Sequence, residues 1–439
     1  MESRLFERQV VDEIVRYLHT DDIIVIQGAR QVGKTCILMY LQHLLSEQGE
    51  QTLYLDLEDS RFVTLLDRGV DEFLLYLRGE GFDLQAYAQT GKKLFVLVDE
   101  IQYLAEPSSF MKLIADHHRW IKLVVSGSSS FGMKSKFKDS LVGRTVNFEI
   151  YPLSFQELLT FRNITFIPGI SLTEVKTREL QTYYLEYVLY GGYPKIVLTP
   201  EVDRKERYLQ QIIDTYIRKD IRDLAEIKDV NRFNRLLEVL ASQSGNLLNI
   251  TELSNTCDLA RQTIERYIFL LEQTYILRLV RPFYRNLRSE ITKTPKVFFF
   301  DTGLMQMLWL KRLQTEIIGS VFETSLFAEL VKQGNVDDIT YWRTADKKEI
   351  DFVIRRPEGP LPVEIKSHFP RAFPSVFKSF WQADALGENK PSLVISLYGE
   401  PISSQMIYPW QLYQGANDGL DTKRPNPGNI DSSSSSQNT

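Results

Sequence analysis

Short apolar runs alternate with longer stretches of helical periodicity between Ile23 and about Phe148. Ile23 to Ile26, Thr52 to Leu57, Leu94 to Val98, Leu123 to Ser126 and Val146 to Phe148 are the candidate strands. The central runs are apolar without alternation, as strands are when helices cover both faces, so they predict a parallel α/β sheet. From Ser154 to about Asp229 the periodicity is helical, broken most clearly at Gly191-Gly192-Tyr193-Pro194, and predicts a helical lid or connector. A third pattern runs from Arg232 to Phe300. A short helix begins at Asn249 to Leu253 with Thr251 as its cap, Cys257 to Leu259 turn the chain, and Ala260 to Gln273 form a second helix. Two β-like runs follow, Ile276 to Val280 and Val297 to Phe300, completing the outline of a winged helix. Beyond Asp301, a helix at Phe322 to Gln333 is joined by strands at Thr340 to Arg343, Ile350 to Ile354, Pro362 to Lys366 and Ser392 to Leu397. From Gly415 the chain is too polar to fold and carries five consecutive serines. No internal repeat is present.

The expected fold class is therefore α/β. The boundaries are a parallel sheet in 1–152, a helical lid or connector in 153–230, a winged helix in 231–300, an α/β domain in 301–413 and a disordered tail in 414–439. Several domains suit a chain of 439 residues, since a domain commonly takes ~100–200. The 43% apolar and 25% charged composition is that of a globular protein. A net charge of -5 excludes a generally basic surface, so any nucleic-acid contact must come from a local patch. Cys36 and Cys257 stand far apart with no metal-ligand spacing, which suggests neither a disulfide framework nor a zinc site. Met1 to Arg8 alternates charges, and nowhere do 18 apolar residues run together, so the expectation is a cytoplasmic protein without a membrane span.

Gly28-Ala29-Arg30-Gln31-Val32-Gly33-Lys34-Thr35 follows the first apolar run and precedes a helical stretch, Cys36 to Leu45. That is the strand, loop and helix order a phosphate-binding loop requires. Glycines let the loop curl so that its N–H groups and the helix N-terminus, including Cys36, surround the phosphates of ATP. Lys34 then reaches the β/γ-phosphates and the Thr35 hydroxyl ligates Mg2+. Leu94 to Val98 ends in Asp99-Glu100 at the edge where an α/β sheet binds ligands. Asp99 would hold Mg2+, usually through water, and Glu100 would orient and polarise the attacking water. Leu123 to Val125 delivers Ser126-Gly127-Ser128, where a hydroxyl can meet the γ-phosphate or the lytic water.

GARQVGKT, LVDEIQ, VVSGSSS, the run Leu141-Val142-Gly143-Arg144, the run Tyr151 to Phe155, and Gly191 to Pro194 together resemble the AAA-type, archaeal-ATPase-like family of bacteria and archaea. The resemblance continues through the carboxyl half to about residue 412. It implies a nucleotide-binding core in which an extra strand separates the P-loop strand from the strand bearing Asp99. It also implies a winged helix and a restriction-endonuclease-like carboxyl domain. The resemblance further puts Arg144 where an arginine finger would reach a neighbouring subunit's γ-phosphate, which requires a homo-oligomer, such as a hexamer, with ATP at subunit interfaces. The alternative is that Arg144 pairs with an acidic neighbour in its own domain.

Positive charge is concentrated late in the chain. Residues 261–300 hold eight basic side chains against three acidic ones. Arg261, Gln262 and Arg266 fall on the second helix of the helix–turn–helix, and Arg285 and Arg288 in the expected wing, as candidate DNA contacts. The same surface also suits protein contacts. Further on, Glu323, Asp351, Glu364 and Lys366 follow the spacing of endonuclease-like sites, where carboxylates hold a divalent metal and the lysine stabilises developing charge. A retained scaffold without cleavage is the other reading.

The leading expectation is ATP hydrolysis by an oligomer coupled to binding or remodelling of duplex or branched DNA. One alternative is a switch ATPase in stress, defence or a toxin–antitoxin pairing that acts through protein partners. Another is an ATP-gated, metal-dependent nuclease.

Overall fold

The computed structural model describes residues 6–127, 141–170, 172–221, 227, 229–283, 293–383 and 391–412. They fall into a larger unit, Met1–Ile167 with Ser171–Glu329, and a smaller one, Pro168–Ile170 with Leu330–Thr439.

In the larger unit a short helix, α1 (Val10–Val15), leads to β1 (Ile23–Gly28), and α2 (Lys34–Glu47) follows the glycine-containing loop. After β2 (Thr52–Asp56) come α3 (Ser60–Asp67), α4 (Val70–Gly79) and α5 (Leu84–Thr90), then β3 (Leu94–Asp99), α6 (Pro107–His117), β4 (Ile121–Gly127) and β5 (Thr145–Ile150). The five strands are parallel in the order β2-β3-β4-β1-β5. β4 is thus the strand between β1 and β3 that the resemblance implies. Every residue of β1, β3 and β4 is buried, which is why these runs lack alternation. One face packs Val25, Val96 and Val125 against Phe73, Phe110 and Met111, and this forms the main core.

Helices dominate next: α7 (Phe155–Phe161), α8 (Glu174–Tyr190), α9 (Pro194–Val197) and α10 (Val202–Ile212), the last continued by a π-helical stretch, Ile213–Ile221. Ser154 and Glu157 close a capping box on α7, each satisfying the other's backbone N–H. The Gly191-Gly192 break has two causes. A Cβ on Gly192 would overlap the Leu153 carbonyl, and Gly191 adopts a φ of +79° beside the Asp301 carboxylate.

α11 (Val230–Ser242), α12 (Ile250–Cys257) and α13 (Arg261–Gln273) precede the antiparallel pair β6 (Leu277–Val280) and β7 (Lys296–Phe299), in the order the sequence predicts. Thr251, however, is not the cap of α12. Asn249 is: its side chain accepts from Thr251 N at 3.0 Å and Glu252 N at 3.2 Å. Thr251 already lies in the first turn, where its hydroxyl takes a bond from Arg261 instead. α14 (Thr302–Leu310) and α15 (Gly319–Gln333) follow.

The smaller unit carries β8 (Ile339–Arg343), β9 (Glu349–Ile354), β10 (Leu361–His368), α16 (Val376–Ala383), β11 (Leu393–Tyr398) and β12 (Met406–Ile407). Its sheet is mixed, ordered β12-β11-β10-β9-β8, with antiparallel pairing from β8 to β10 and parallel pairing from β10 to β12. No helix among the described residues is long and apolar enough to cross a membrane. The serine-rich tail, Ser128, Arg285 and Arg288 lie outside the described residues.

Candidate active site

The loop between β1 and α2 bends through two left-handed residues, Gln31 at φ 62° and Gly33 at φ 100°. Such turns point successive N–H groups into one concavity, which attracts anions and stands at the positive end of α2. Ala29 and Val32 are fully buried beneath it, Arg30 is partly covered, and Gln31 and Cys36 are exposed at its rim. Gly28 serves packing as well as curvature: a Cβ there would overlap the Ile150 carbonyl of β5.

Lys34, at the start of α2, is buried and donates from Nζ to Ala29 O at 2.7 Å and Gly28 O at 3.2 Å. Burial pushes its ammonium down to about 8, against the opposing pull of Glu100 and Asp99. The neighbouring Thr35 Oγ1 donates to Asp99 Oδ2 at 2.6 Å. Asp99 ends β3, and β4 beside it places Ser126, whose hydroxyl donates to Asp99 Oδ1. Glu100 N donates to both Asp99 Oδ1 and Ser126 Oγ at 3.2 Å. Glu100 itself has φ 57°, a left-handed backbone that turns the chain sharply out of the sheet, and its carboxylate accepts from Gln102.

The structure therefore brings Lys34, Thr35, Asp99, Glu100 and Ser126 together from three elements. It adds Tyr54, which the sequence does not single out. From β2 its hydroxyl donates to Asp99 Oδ2 at 3.1 Å. Burial, then the Asp99 charge, pushes the Tyr54 phenol up, so it stays a donor. The donor set fits the expected ligands: a hydroxyl and a carboxylate are the hard oxygen ligands Mg2+ takes, and a desolvated ammonium beside a nest of N–H groups suits phosphate.

Arg144 lies elsewhere. Ile23 N, at the beginning of β1, donates to Arg144 O, and Thr145 pairs with Ile23, so Arg144 stands at the strand starts. The phosphate loop follows Gly28 at the other end of β1, roughly 20 Å away along the strand. Its guanidinium holds the Asp116 carboxylate of α6 from Nε at 2.7 Å and Nη2 at 3.2 Å.

On α13, Arg261, Gln262, Glu265, Arg266 and Phe269 are all exposed on one side. In the smaller unit, Asp351 Oδ2 accepts from Ile365 N at 2.7 Å, and Lys366 Nζ pairs with Glu364. Glu364 is buried, its Oε2 has no hydrogen-bond partner, and burial followed by the Asp351 charge pushes it up to about 7 despite Lys366. Glu323 belongs to the larger unit, where it pairs with buried Lys296 at 3.2 Å. Among the described residues no group of three or more His, Cys, Asp or Glu is arranged to hold a metal ion.

Residues 20–159 match an AAA domain family, residues 181–316 a domain of unknown function (DUF8612), and residues 318–413 another (DUF4143). An uncharacterized protein of Haemophilus influenzae is 27% identical over 368 residues, 82% of this chain and 86% of its own. One from Methanocaldococcus jannaschii is 25% identical, covering 75% of this chain and 71% of its own. Among solved structures, Aeropyrum pernix ORC2 in its ADP form superposes at TM-score 0.33 with 11% identity, over 62% of this chain and 85% of that one. AMPPCP-bound DnaA from Aquifex aeolicus does so at 0.26 with 18% identity, over 60% and 86%. Likenesses this loose carry nothing about function.

Proposed function

For a chain that carries an AAA-type P-loop domain in its N-terminal region, followed by two domains of unknown function, we propose ATP hydrolysis by a cytoplasmic homo-oligomer coupled to DNA. The observation that carries this reading is the convergence of Lys34, Thr35, Asp99 and Ser126 at the carboxyl ends of β1, β3 and β4. Lys34 and the loop N–H groups bind and orient the phosphates, and Thr35 and Asp99 hold Mg2+, which supplies charge neutralisation when bound. Glu100 takes the proton of the attacking water once its carboxylate leaves Gln102. Ser126 fixes the Asp99 carboxylate and the Glu100 backbone in one orientation.

Arg144 stands too far from its own phosphate loop to act there, and it pairs with Asp116 of its own unit, the alternative named above; service to a neighbouring copy requires it to exchange Asp116 for phosphate. The helix–turn–helix and hairpin of residues 231–300 serve as a winged helix, with Arg261, Gln262 and Arg266 meeting DNA. Steady-state ATP hydrolysis at fixed low salt, without DNA and with single-stranded, duplex, forked and four-way-junction DNA, tests both parts. Turnover lost in Lys34→Ala and Glu100→Gln establishes the ATPase, and stimulation by one DNA structure establishes the coupling. A slow rate indifferent to every DNA sinks the coupling and favours a switch that answers to a protein partner.

A second reading has one observation behind it: the orphaned, buried Glu364 Oε2 beside Asp351 is a polar atom that a divalent cation would satisfy. Metal-dependent cleavage by wild type that vanishes in Asp351→Ala, with ATP hydrolysis intact, is its expected result. Wild-type protein that cuts nothing with Mg2+ or Mn2+ removes it.

A further inference from the structure

Residues 6–9 precede all three matched segments, and nothing in the phosphate-loop motif calls for them. They nevertheless form a strap against the loop, in which Arg8 is buried and Glu7 and Gln9 are exposed. Phe6 stacks on Phe161 at 4.3 Å between ring centroids, and Gln9 is bonded to Gln156, to Ser154 and, through its backbone, to Glu157. Arg8, only 6% exposed, uses three donor nitrogens on three partners. Nη1 donates to Val32 O at 2.7 Å, Nη2 to Tyr151 O at 3.0 Å and Nε to Glu157 Oε1 at 2.7 Å.

The bond to Val32 O acts on the cradle itself. A trans peptide plane carries its C=O and N–H on opposite sides, and none of the described peptide bonds is cis. Holding the Val32 oxygen outward therefore turns the Gly33 N–H inward, among the groups that would receive phosphate. A buried carbonyl on the outer face of such a loop also needs a donor, and without Arg8 the peptide gains by flipping toward another one. Gly33, with no Cβ and a φ of 100°, puts little in the way of a flip. A guanidinium suits the task because its rigid planar fork spreads its donors in fixed directions to two carbonyls and a carboxylate, whereas an ammonium is a compact point charge on a flexible stem.

We propose that Arg8 is a positioning residue for nucleotide binding, holding the Val32–Gly33 peptide with its N–H turned into the phosphate cradle. This rests on the reading of the loop as a nucleotide site. The test is ADP titration by calorimetry of the full-length wild type, Lys34→Ala, Arg8→Lys, and the double variant Arg8→Met/Glu157→Gln, with a thermal melt of each. The double variant removes both buried charges together and so avoids stranding Glu157. It is expected to melt cooperatively and to bind ADP about tenfold or more weakly, with KM for ATP rising in step and turnover at saturation falling less. Arg8→Lys keeps a charge beside Glu157 and is expected to lose affinity in the same direction, so the reading does not depend on the double variant folding. A merely structural role would lower the melting temperature and leave the affinity of folded protein alone. ADP affinity within about threefold of wild type in folded Arg8 variants, alongside a loss in Lys34→Ala, overturns Arg8 alone. Wild type that binds no ADP overturns the nucleotide site and Arg8 with it.

Discussion

Asp99 receives bonds from four groups before any ligand arrives, and Tyr54 is the one among them with no motif to announce it. Under the proposed function its hydroxyl would keep the carboxylate aimed while Thr35 turns a lone pair to Mg2+. Tyr54→Phe deletes that oxygen at little cost to packing, so the Mg2+ concentration for half-maximal turnover is expected to rise about threefold to tenfold, as one hydrogen bond of ~1 kcal/mol implies. Titration of hydrolysis against Mg2+ at saturating ATP reads this, and an unchanged curve would count against the role. Glu157 offers a second test. Burial pushes its carboxyl up, but the Arg8 guanidinium and the backbone N–H groups of Ser154 and Gln9 outweigh it and hold the group below its usual range. Its folded value lies below its unfolded one, so its stabilisation is present above about pH 4.5 and is lost as acid carries the pH down through the folded value. Urea melts between pH 5 and 3 are expected to show a loss of stability in wild type that Arg8→Met/Glu157→Gln largely lacks. Lys34, Thr35, Asp99 and Glu100 are legible in the sequence because each pair is contiguous and follows an apolar run. Tyr54 and Arg8 are not, since only β2–β3 register and a contact spanning 149 residues bring them in.

Strand and helix order can be read from periodicity because burial on both faces leaves unbroken apolar runs. The ends cannot. β1, β3 and β4 continue into Gly28, Asp99 and Gly127, because ladder hydrogen bonds persist where apolarity has stopped. The cap of α12 falls to Asn249 for a similar local reason: a capping side chain must precede the N–H groups it serves, and Thr251 is already among them. Gly28 shows a motif residue doing two jobs at element scale. It closes the phosphate loop, and it lets β5 pass β1 with the Ile150 carbonyl pressed against it. Gly28→Ala must part these strands and is expected to destabilise the protein by about 1–3 kcal/mol. Urea unfolding measures this directly; an unaltered midpoint would mean the strands have room to spare.

Within the larger unit, distant segments lock together through contacts that composition does not foreshadow. Tyr151 meets Tyr275 at 5.8 Å and Phe300 at 5.1 Å between ring centroids, and Asp301 both caps α14 and accepts from Gly192 N at 2.7 Å. Apart from that cap, each pairing joins residues more than a hundred positions apart, which is why the order of elements is easier to see in the sequence than their packing. The same unit carries its phosphate loop at the carboxyl end of β1 and Arg144 beside the amino end of that strand. Under the proposed assembly, Arg144→Ala is expected to bind ADP normally and hydrolyse ATP at least about a hundredfold more slowly. Mixing it with Lys34→Ala restores activity at the junctions that pair the intact halves, as hydrolysis of the mixture against the separate proteins would show. Copies joined this way would meet either head to tail in a closed ring or reciprocally across a two-fold axis. In a cell that makes wild-type and Arg144→Ala chains together, every assembly that admits a faulty copy inherits a dead junction. The defect would therefore be graded, one junction for each altered chain, although the altered protein folds, binds nucleotide and joins its neighbours.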